Sequence, residues 1–132
     1  MARNEVFKDA DYLSLPVPVG TLSGGPVRVG GLNGVAQTDE PTAYLAGLDP
    51  TSPYNRAPSS NTAGYASIAL KGAFRIPVAT TATLAVGDPV YIVTASNTLT
   101  TTSNSNANPI FGYALSAKGS TAGQPVIVRI AN

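Results

Sequence analysis

The chain has 132 residues, of which 43% are hydrophobic and only 11% are charged, and its net charge is +1. This length is typical of one domain with a single core, and the near-neutral charge argues against a nucleic-acid partner, which needs a clustered basic face. Cysteine and histidine are absent, which excludes disulfides and the thiolate and imidazole ligands of most transition-metal sites.

Charge is divided unevenly along the chain. Residues 1–49 contain six acidic and three basic residues, whereas residues 50–132 contain five basic residues and one acid, Asp88. A chain of this kind can orient against a charged partner or against a second copy of itself. Counts this small also arise by chance, so the asymmetry by itself assigns no partner.

The N-terminal segment predicts an extended arm or an edge strand. Residues 12–19 read YLSLPVPV, and their alternation places four apolar side chains on one side: Leu13, Leu15, Val17 and Val19. Pro16 and Pro18 each lack a backbone donor, which forbids a central strand. We expect residues 1–19 to be mobile in the free protein and to dock as an added strand on a neighbouring subunit.

Two stretches that follow predict two strands each. Residues 26–38, PVRVGGLNGVAQT, form two short strands around glycines, with Asn33-Gly34 as a strong turn dipeptide. Residues 64–79, GYASIALKGAFRIPVA, alternate twice on either side of Gly72, which marks a turn or bulge.

The C-terminal half predicts the remaining strands. Residues 89–94, PVYIVT, are almost entirely apolar, so we expect burial on both faces and pairing with residues 98–102 across the Ser96-Asn97 turn. Residues 110–117 and 125–131 complete a set of about nine short strands. The pattern predicts a single all-β domain, a barrel or a sandwich, spanning residues 20–132.

Residues 41–64 break the regular spacing of strands and are predicted to form a long inserted loop rich in Pro, Ser and Asn. One helical turn is predicted within it, at 43–48. Loops of this length are usually functional or disordered. Four of its side chains are too apolar for an idle loop, so we expect them, together with Val6 and Phe7 of the arm, to contact another subunit or a partner: Tyr44, Leu45, Leu48 and Tyr54.

Catalytic and cofactor patterns are weak. Asp39-Glu40 is the one adjacent acidic pair, and neighbouring strand residues point to opposite faces, so it chelates poorly. The Ser67–Lys71 and Ser116–Lys118 spacings are unspecific, and an exposed lysine is a poor base. Asp88, between Gly87 and Pro89, is better explained as a turn cap. We therefore expect no enzymatic activity, no metal and no cofactor.

The sequence shows no pattern typical of a targeting signal. No segment approaches the ~20 apolar residues of a membrane span, and the N-terminal residues lack the apolar region of a secretory signal. We expect synthesis in a cytoplasm and no membrane partner. Six scattered tyrosines could stack on sugars, so a stand-alone β-sandwich that binds carbohydrate or a host surface stays open as the alternative function.

Five motifs in a fixed order resemble the capsid decoration, or cement, proteins of tailed bacteriophages. The motifs are PVPVGTLSGGPVRVGGLNGVAQTD, ASIALKGAFRIPVA, LAVGDPVYIV, NPIFGYALSA and PVIVRI, which cover about residues 12–40 and 64–131. Each motif alone is common in strands and turns. The resemblance depends on the order in which the five motifs follow one another along the chain. The stretch 41–64 is longer than the family pattern leads us to expect, so nothing is carried over to it.

The resemblance implies a non-enzymatic virion protein. It implies binding to the outer surface of the expanded capsid, after synthesis in the host cytoplasm, as a homotrimer at local threefold positions. There it would clamp neighbouring subunits of the major capsid protein. The strand motifs would then be scaffold, and the arm and inserted loop would be the contact segments.

Overall fold

Strand-forming segments account for all the regular structure in the computed structural model, which describes residues 10–40 and 64–132. Within these ranges the chain forms nine strands and no helix, which confirms the all-β prediction: β1 (Tyr12–Pro16), β2 (Pro26–Val29), β3 (Leu32–Ala36), β4 (Tyr65–Ala69), β5 (Ala73–Val78), β6 (Pro89–Val93), β7 (Thr98–Thr100), β8 (Ile110–Ala114) and β9 (Gln124–Ile130). The helical turn predicted at 43–48 lies outside the described residues.

The first four strands form an antiparallel sheet in the order β1-β4-β3-β2. β1 lies at the edge, as its prolines require, and pairs along its whole length with β4, from Tyr12 opposite Ala69 to Pro16 opposite Tyr65. The ladder continues beyond the strand at both ends, because the Leu70 amide donates to the Asp11 carbonyl (2.7 Å) and the Val17 amide to the Gly64 carbonyl (2.9 Å). Residues 11–17 are therefore held by the chain's own sheet, and the expectation that this part of the arm is unattached in the free protein is wrong.

The β2–β3 hairpin turns at Gly30-Gly31 and not at Asn33-Gly34. Val29 pairs directly with Leu32, and Gly30 has a φ of 59°, which suits the left-handed position of a tight hairpin turn. Gly34 has a different function inside β3. A Cβ on it would overlap the Ile68 side chain and lie 2.8 Å from the Ala69 carbonyl oxygen, so glycine permits β3 and β4 to approach closely.

The other five strands close into a barrel in the order β5-β7-β6-β8-β9. All neighbours are antiparallel except β5 and β7, which are parallel and share a single pair, Val78 opposite Leu99. The predicted turn at Ser96-Asn97 is confirmed, with Asn97 at a φ of 53°. Closure leaves these strands without an open edge, which removes the usual route to edge-to-edge aggregation.

The apolar strand β6 is buried on one face only, contrary to expectation. Val90 and Ile92 point into the barrel and are fully buried, whereas Pro89, Tyr91 and Val93 are half-exposed. A five-stranded barrel has a single interior, so the alternate residues of β6 lie on its outer wall and are only partly covered. The apolar residues on that wall form part of the outer surface.

Two hydrophobic clusters hold the fold together. The larger fills the barrel around Phe111 and Ile92, and it includes Val35 from β3, so the open sheet packs against the barrel through that strand. The smaller lies on the opposite face of the sheet around Ile68 and Val27. Sheet and barrel thus form one domain with a shared core.

A polar junction also joins the sheet to the barrel. The Asn33 amide group, 3% exposed, donates to the carbonyls of Ile110 (2.9 Å) and Ala131 (2.7 Å). Asn132 completes the junction: its Oδ1 accepts from the Asn33 backbone amide (2.8 Å), and its Nδ2 donates to the carbonyls of Asn33 and Leu70 (both 2.7 Å). Buried polar groups need such partners, so this network fixes how the two sheets meet.

No helix in the described ranges has the length and apolar character that a bilayer span requires.

Candidate interaction surfaces

Ser116 and Lys118, which follow the end of β8, both form hydrogen bonds within the fold. Ser116 Oγ accepts from the Ile127 amide (3.0 Å), and Lys118 Nζ donates to the carbonyls of Ala82 (3.0 Å) and Gly119 (2.9 Å). Lys118 is 3% exposed, so its buried ammonium group links the segment that contains Ala82 to the segment that contains Gly119. This geometry gives the serine no base.

The acidic residues identified in the sequence also have structural partners. Asp88 Oδ2 accepts from the Ala85 amide (2.8 Å), and the Asp88 amide donates back to the Ala85 carbonyl (3.1 Å), which confirms the turn-cap interpretation. Asp39 Oδ1 accepts from the Ser23 amide (2.7 Å). Among residues 10–40 and 64–132, no group of acidic residues is placed to hold a metal ion.

Glu40 has a role that sequence reasoning missed. It is fully buried, and its Oε1 accepts from the Gly64 amide at 2.6 Å. Its own amide donates to the Thr21 carbonyl (2.8 Å). The residues that flank the 41–63 stretch are thereby fastened to each other and to the loop before β2. No sequence signal distinguishes this glutamate from a solvated turn residue, because its partners are distant along the chain.

The predicted contact residues divide into two groups. Leu13 and Leu15 on β1 and Val17 just after it are half-buried, and the latter two pack against the smaller hydrophobic cluster. Their capacity to contact a neighbouring subunit stays a prediction. The other six lie outside the described residues: Val6, Phe7, Tyr44, Leu45, Leu48 and Tyr54.

Two apolar grooves lie where the sheet and the barrel meet. The larger, of about 510 Å³, is lined by the apolar side chains of Leu13, Leu32, Leu70 and Ile130 and also by Lys71 and Arg129. The smaller, of about 240 Å³, lies over the single β5–β7 pair between Ile76 and Leu99. The larger groove also contains Asp11 and Asn132, but Asp11 pairs with Lys71 and Asn132 donates to the Leu70 carbonyl, so these polar groups are already engaged within the chain.

The outer wall of the barrel combines arginine with exposed apolar side chains. The register places Tyr113 opposite Arg129, and Arg129 opposite Ala73. Arg75 lies opposite Ile127, whose carbonyl accepts from the Leu115 amide. The basic barrel face is defined here as Arg75, Tyr113, Leu115, Ile127 and Arg129. These side chains occupy outward positions on or next to three strands, β5, β8 and β9, and only the strand register brings them together.

The described tyrosines do not form one stacking platform. Tyr12 and Tyr65 lie on the sheet, whereas Tyr91 and Tyr113 lie on the outer wall of the barrel. This division gives the carbohydrate alternative no specific support.

Comparison with protein families gives one match. A family model described as phage cement protein matches residues 57–130, more than half of the chain. The match includes β4 and the complete barrel and leaves β1, β2 and β3 outside it. No curated protein and no solved structure matches the chain.

Proposed function

The chain belongs to the phage cement protein family, and from this premise we propose that it binds the outer surface of the mature capsid and holds neighbouring major-capsid subunits together. The family match carries this proposal. A cement protein is structural, which agrees with the backbone hydrogen bonds that Asp88, Lys118 and Ser116 make within the chain.

The surface supports binding to protein. In the described ranges one ion pair occurs, between Lys71 and Asp11 at 3.9 Å, and both side chains are largely exposed. A surface poor in charge and rich in Thr, Ser and Asn can be covered by another protein with few ions to desolvate. The closed barrel supplies a rigid platform, which lowers the entropic cost of docking.

We further propose a homotrimer, at least on the capsid. Three linked copies convert weak single contacts into avid binding, with gains of ~100-fold or more when the geometry allows simultaneous engagement. The N-terminal residues with Val6 and Phe7, and the 41–64 stretch with its four apolar side chains, are the proposed contacts to capsid or neighbouring protomer. Leu13, Leu15 and Val17 would contribute where β1 lies at the sheet edge.

The test is addition of the purified protein to emptied, expanded capsids and, in parallel, to unexpanded shells. We expect saturable binding to the expanded lattice only, and threefold density in a reconstruction. Binding to neither form, together with binding to glycans or host envelopes, would favour the stand-alone module. Isolated monomers away from any threefold position would contradict the trimer.

The N-terminal contact is tested by deleting residues 2–9. This deletion spares Asp11, whose carbonyl belongs to the sheet ladder. We expect nearly unchanged melting of the free protein but weaker capsid binding or lower capsid heat resistance.

A further inference from the structure

Two arginines lie side by side on the basic barrel face. Arg75 on β5 and Arg129 on β9 are both exposed. Because Ala73 pairs with Arg129 and Arg75 pairs with Ile127, the two arginines are diagonal neighbours on one face of an antiparallel pair. Diagonal side chains of this length reach each other, so the fold places two like charges close together.

Neither arginine has an acidic partner in the described part of the chain. The ion pair found there involves Lys71 and Asp11, and Asp88, the one acid after residue 49, caps its own turn. Each guanidinium group offers planar paired donors that match a carboxylate, so an acidic partner could pair with both arginines.

The arginines are surrounded by apolar side chains. Tyr113 is 43% exposed and Leu115 is 47% exposed, although both are large hydrophobic residues on regular or near-regular strand. Ile127 lies half-buried between them and Arg75. Arginine and tyrosine are the residues enriched in protein interfaces and their hot spots. Two cations without a longer basic track are too few for a nucleic-acid site.

Among the described residues, a second copy of this chain offers no free acidic group to this face, and the remaining acids, Glu5, Asp9 and Asp49, lie outside those residues. Asp11, Asp39 and Asp88 are the acids in the described ranges besides buried Glu40, and each already interacts with a lysine or a backbone amide of its own chain. No described surface therefore presents a free acidic patch that could complement the arginines.

We propose that the basic barrel face docks on an acidic, partly apolar surface of the major capsid protein. This inference rests on the proposed cement function and deepens it, because it assigns the contact to the rigid barrel in addition to the arm and the inserted loop. Carboxylates on the capsid would pair with Arg75 and Arg129, while Tyr113 and Leu115 would cover apolar surface between them.

The experiment compares neutralising variants in a capsid-binding titration at low and high salt. R75Q and R129Q should each weaken binding to expanded capsids about 2- to 5-fold at low salt, the range for one exposed charge pair. The double variant should lose more than either, and the loss should shrink at high salt because salt screens exposed charges. R75K/R129K, which keeps the charge but not the planar donors, should bind better than the double glutamine variant.

Two controls match these changes outside the basic barrel face. K71Q removes one positive charge from a side chain that is 77% exposed and is paired with Asp11 in the groove that Arg129 also lines, and we expect a smaller loss of affinity than for R129Q. Leu22→Ser, in the loop before β2 at a side chain that is 58% exposed, should have no effect, whereas Leu115→Ser on the barrel should weaken binding. Thermal melts of each variant separate loss of fold from loss of contact.

Three outcomes would overturn the inference. Wild-type affinity of the double glutamine variant would exclude the face as a capsid contact. A loss equal to that of K71Q would show only a net-charge effect. The double glutamine variant could instead lose self-association in light scattering while each single copy keeps its affinity for the capsid. That result would assign the face to the interface between protomers. Failure of the wild-type protein to bind capsids is a separate result, which would contradict the proposed function itself.

Discussion

Among the described glycines, Gly112 in β8 has the least space for a side chain. A Cβ at this position would overlap the Arg129 carbonyl oxygen and lie 2.9 Å from that carbonyl carbon and 3.0 Å from Val128 Cγ1. Two of these atoms belong to the backbone of the neighbouring strand and cannot rotate away. We expect Gly112→Ala to destabilise the protein by about 1–3 kcal/mol or more, measured by chemical denaturation.

The control for this substitution is Gly31→Ala, in the β2–β3 turn, where an added Cβ meets nothing within 4 Å. Its effect should be small. Equal destabilisation by the two variants would show that the β8–β9 spacing relaxes to admit a methyl group.

Asn33 carries the polar junction between the sheet and the barrel. Asn33→Ala would leave the carbonyls of Ile110 and Ala131 without their amide donor and would also free Arg28 Nη1, which donates to Asn33 Oδ1 at 2.6 Å. An unsatisfied buried acceptor costs about 1–3 kcal/mol, so we expect a destabilisation of about that size in a thermal melt. Asn108→Ala, which removes one bond to the Thr102 carbonyl in a loop, should have a much smaller effect. Comparable losses would mean that solvent reaches the junction.

At the scale of the strand, β6 shows how one element divides its residues between core and surface. Ile92 is fully buried in the barrel cluster, whereas its neighbour Val93 faces outward and is half-exposed. Ile92→Ala should destabilise the protein by about 2–5 kcal/mol, because it removes apolar burial and leaves a cavity. Val93→Ala should cost clearly less. An unchanged melting temperature for Ile92→Ala would contradict the assigned inner face.

At the scale of the whole molecule, the fold separates a scaffold from its proposed contact segments. Glu40 and Gly64 hold the two sides of the 41–63 stretch together, so that stretch can be changed while its anchor is kept. We expect substitution of Tyr44, Leu45, Leu48 and Tyr54 by serine to preserve the melting of the barrel. Capsid affinity should fall by about tenfold or more, since losing one anchor that contributes ~1.4 kcal/mol already has that effect.

The control for the loop variant substitutes four serines and threonines of the same stretch by alanine: Thr51, Ser52, Ser59 and Ser60. These should leave capsid occupancy unchanged. Equal occupancy for the apolar variant as well would show that the stretch packs on its own protomer and is not a contact.

Local chemistry accounts for what the sequence determined by itself. Alternation of apolar residues marked β4 and β5, a nearly continuous apolar run marked β6, and Gly72 and Ser96-Asn97 marked two turns, because side-chain period and turn conformation depend on near neighbours. Prolines placed β1 at a sheet edge for the same reason. The ordered motifs also pointed to the family that the later match confirms.

Tertiary structure decided whatever depends on distant partners. Asn33-Gly34 has the composition of a turn, yet the fold uses Gly34 for close strand approach and Asn33 for a junction with residues almost a hundred positions away. β6 looks buried on both faces, yet a barrel has only one inside. Arg75 and Arg129 become neighbours only through the β5–β9 register. Residue composition is local, whereas burial, pairing and charge proximity arise when the chain closes on itself.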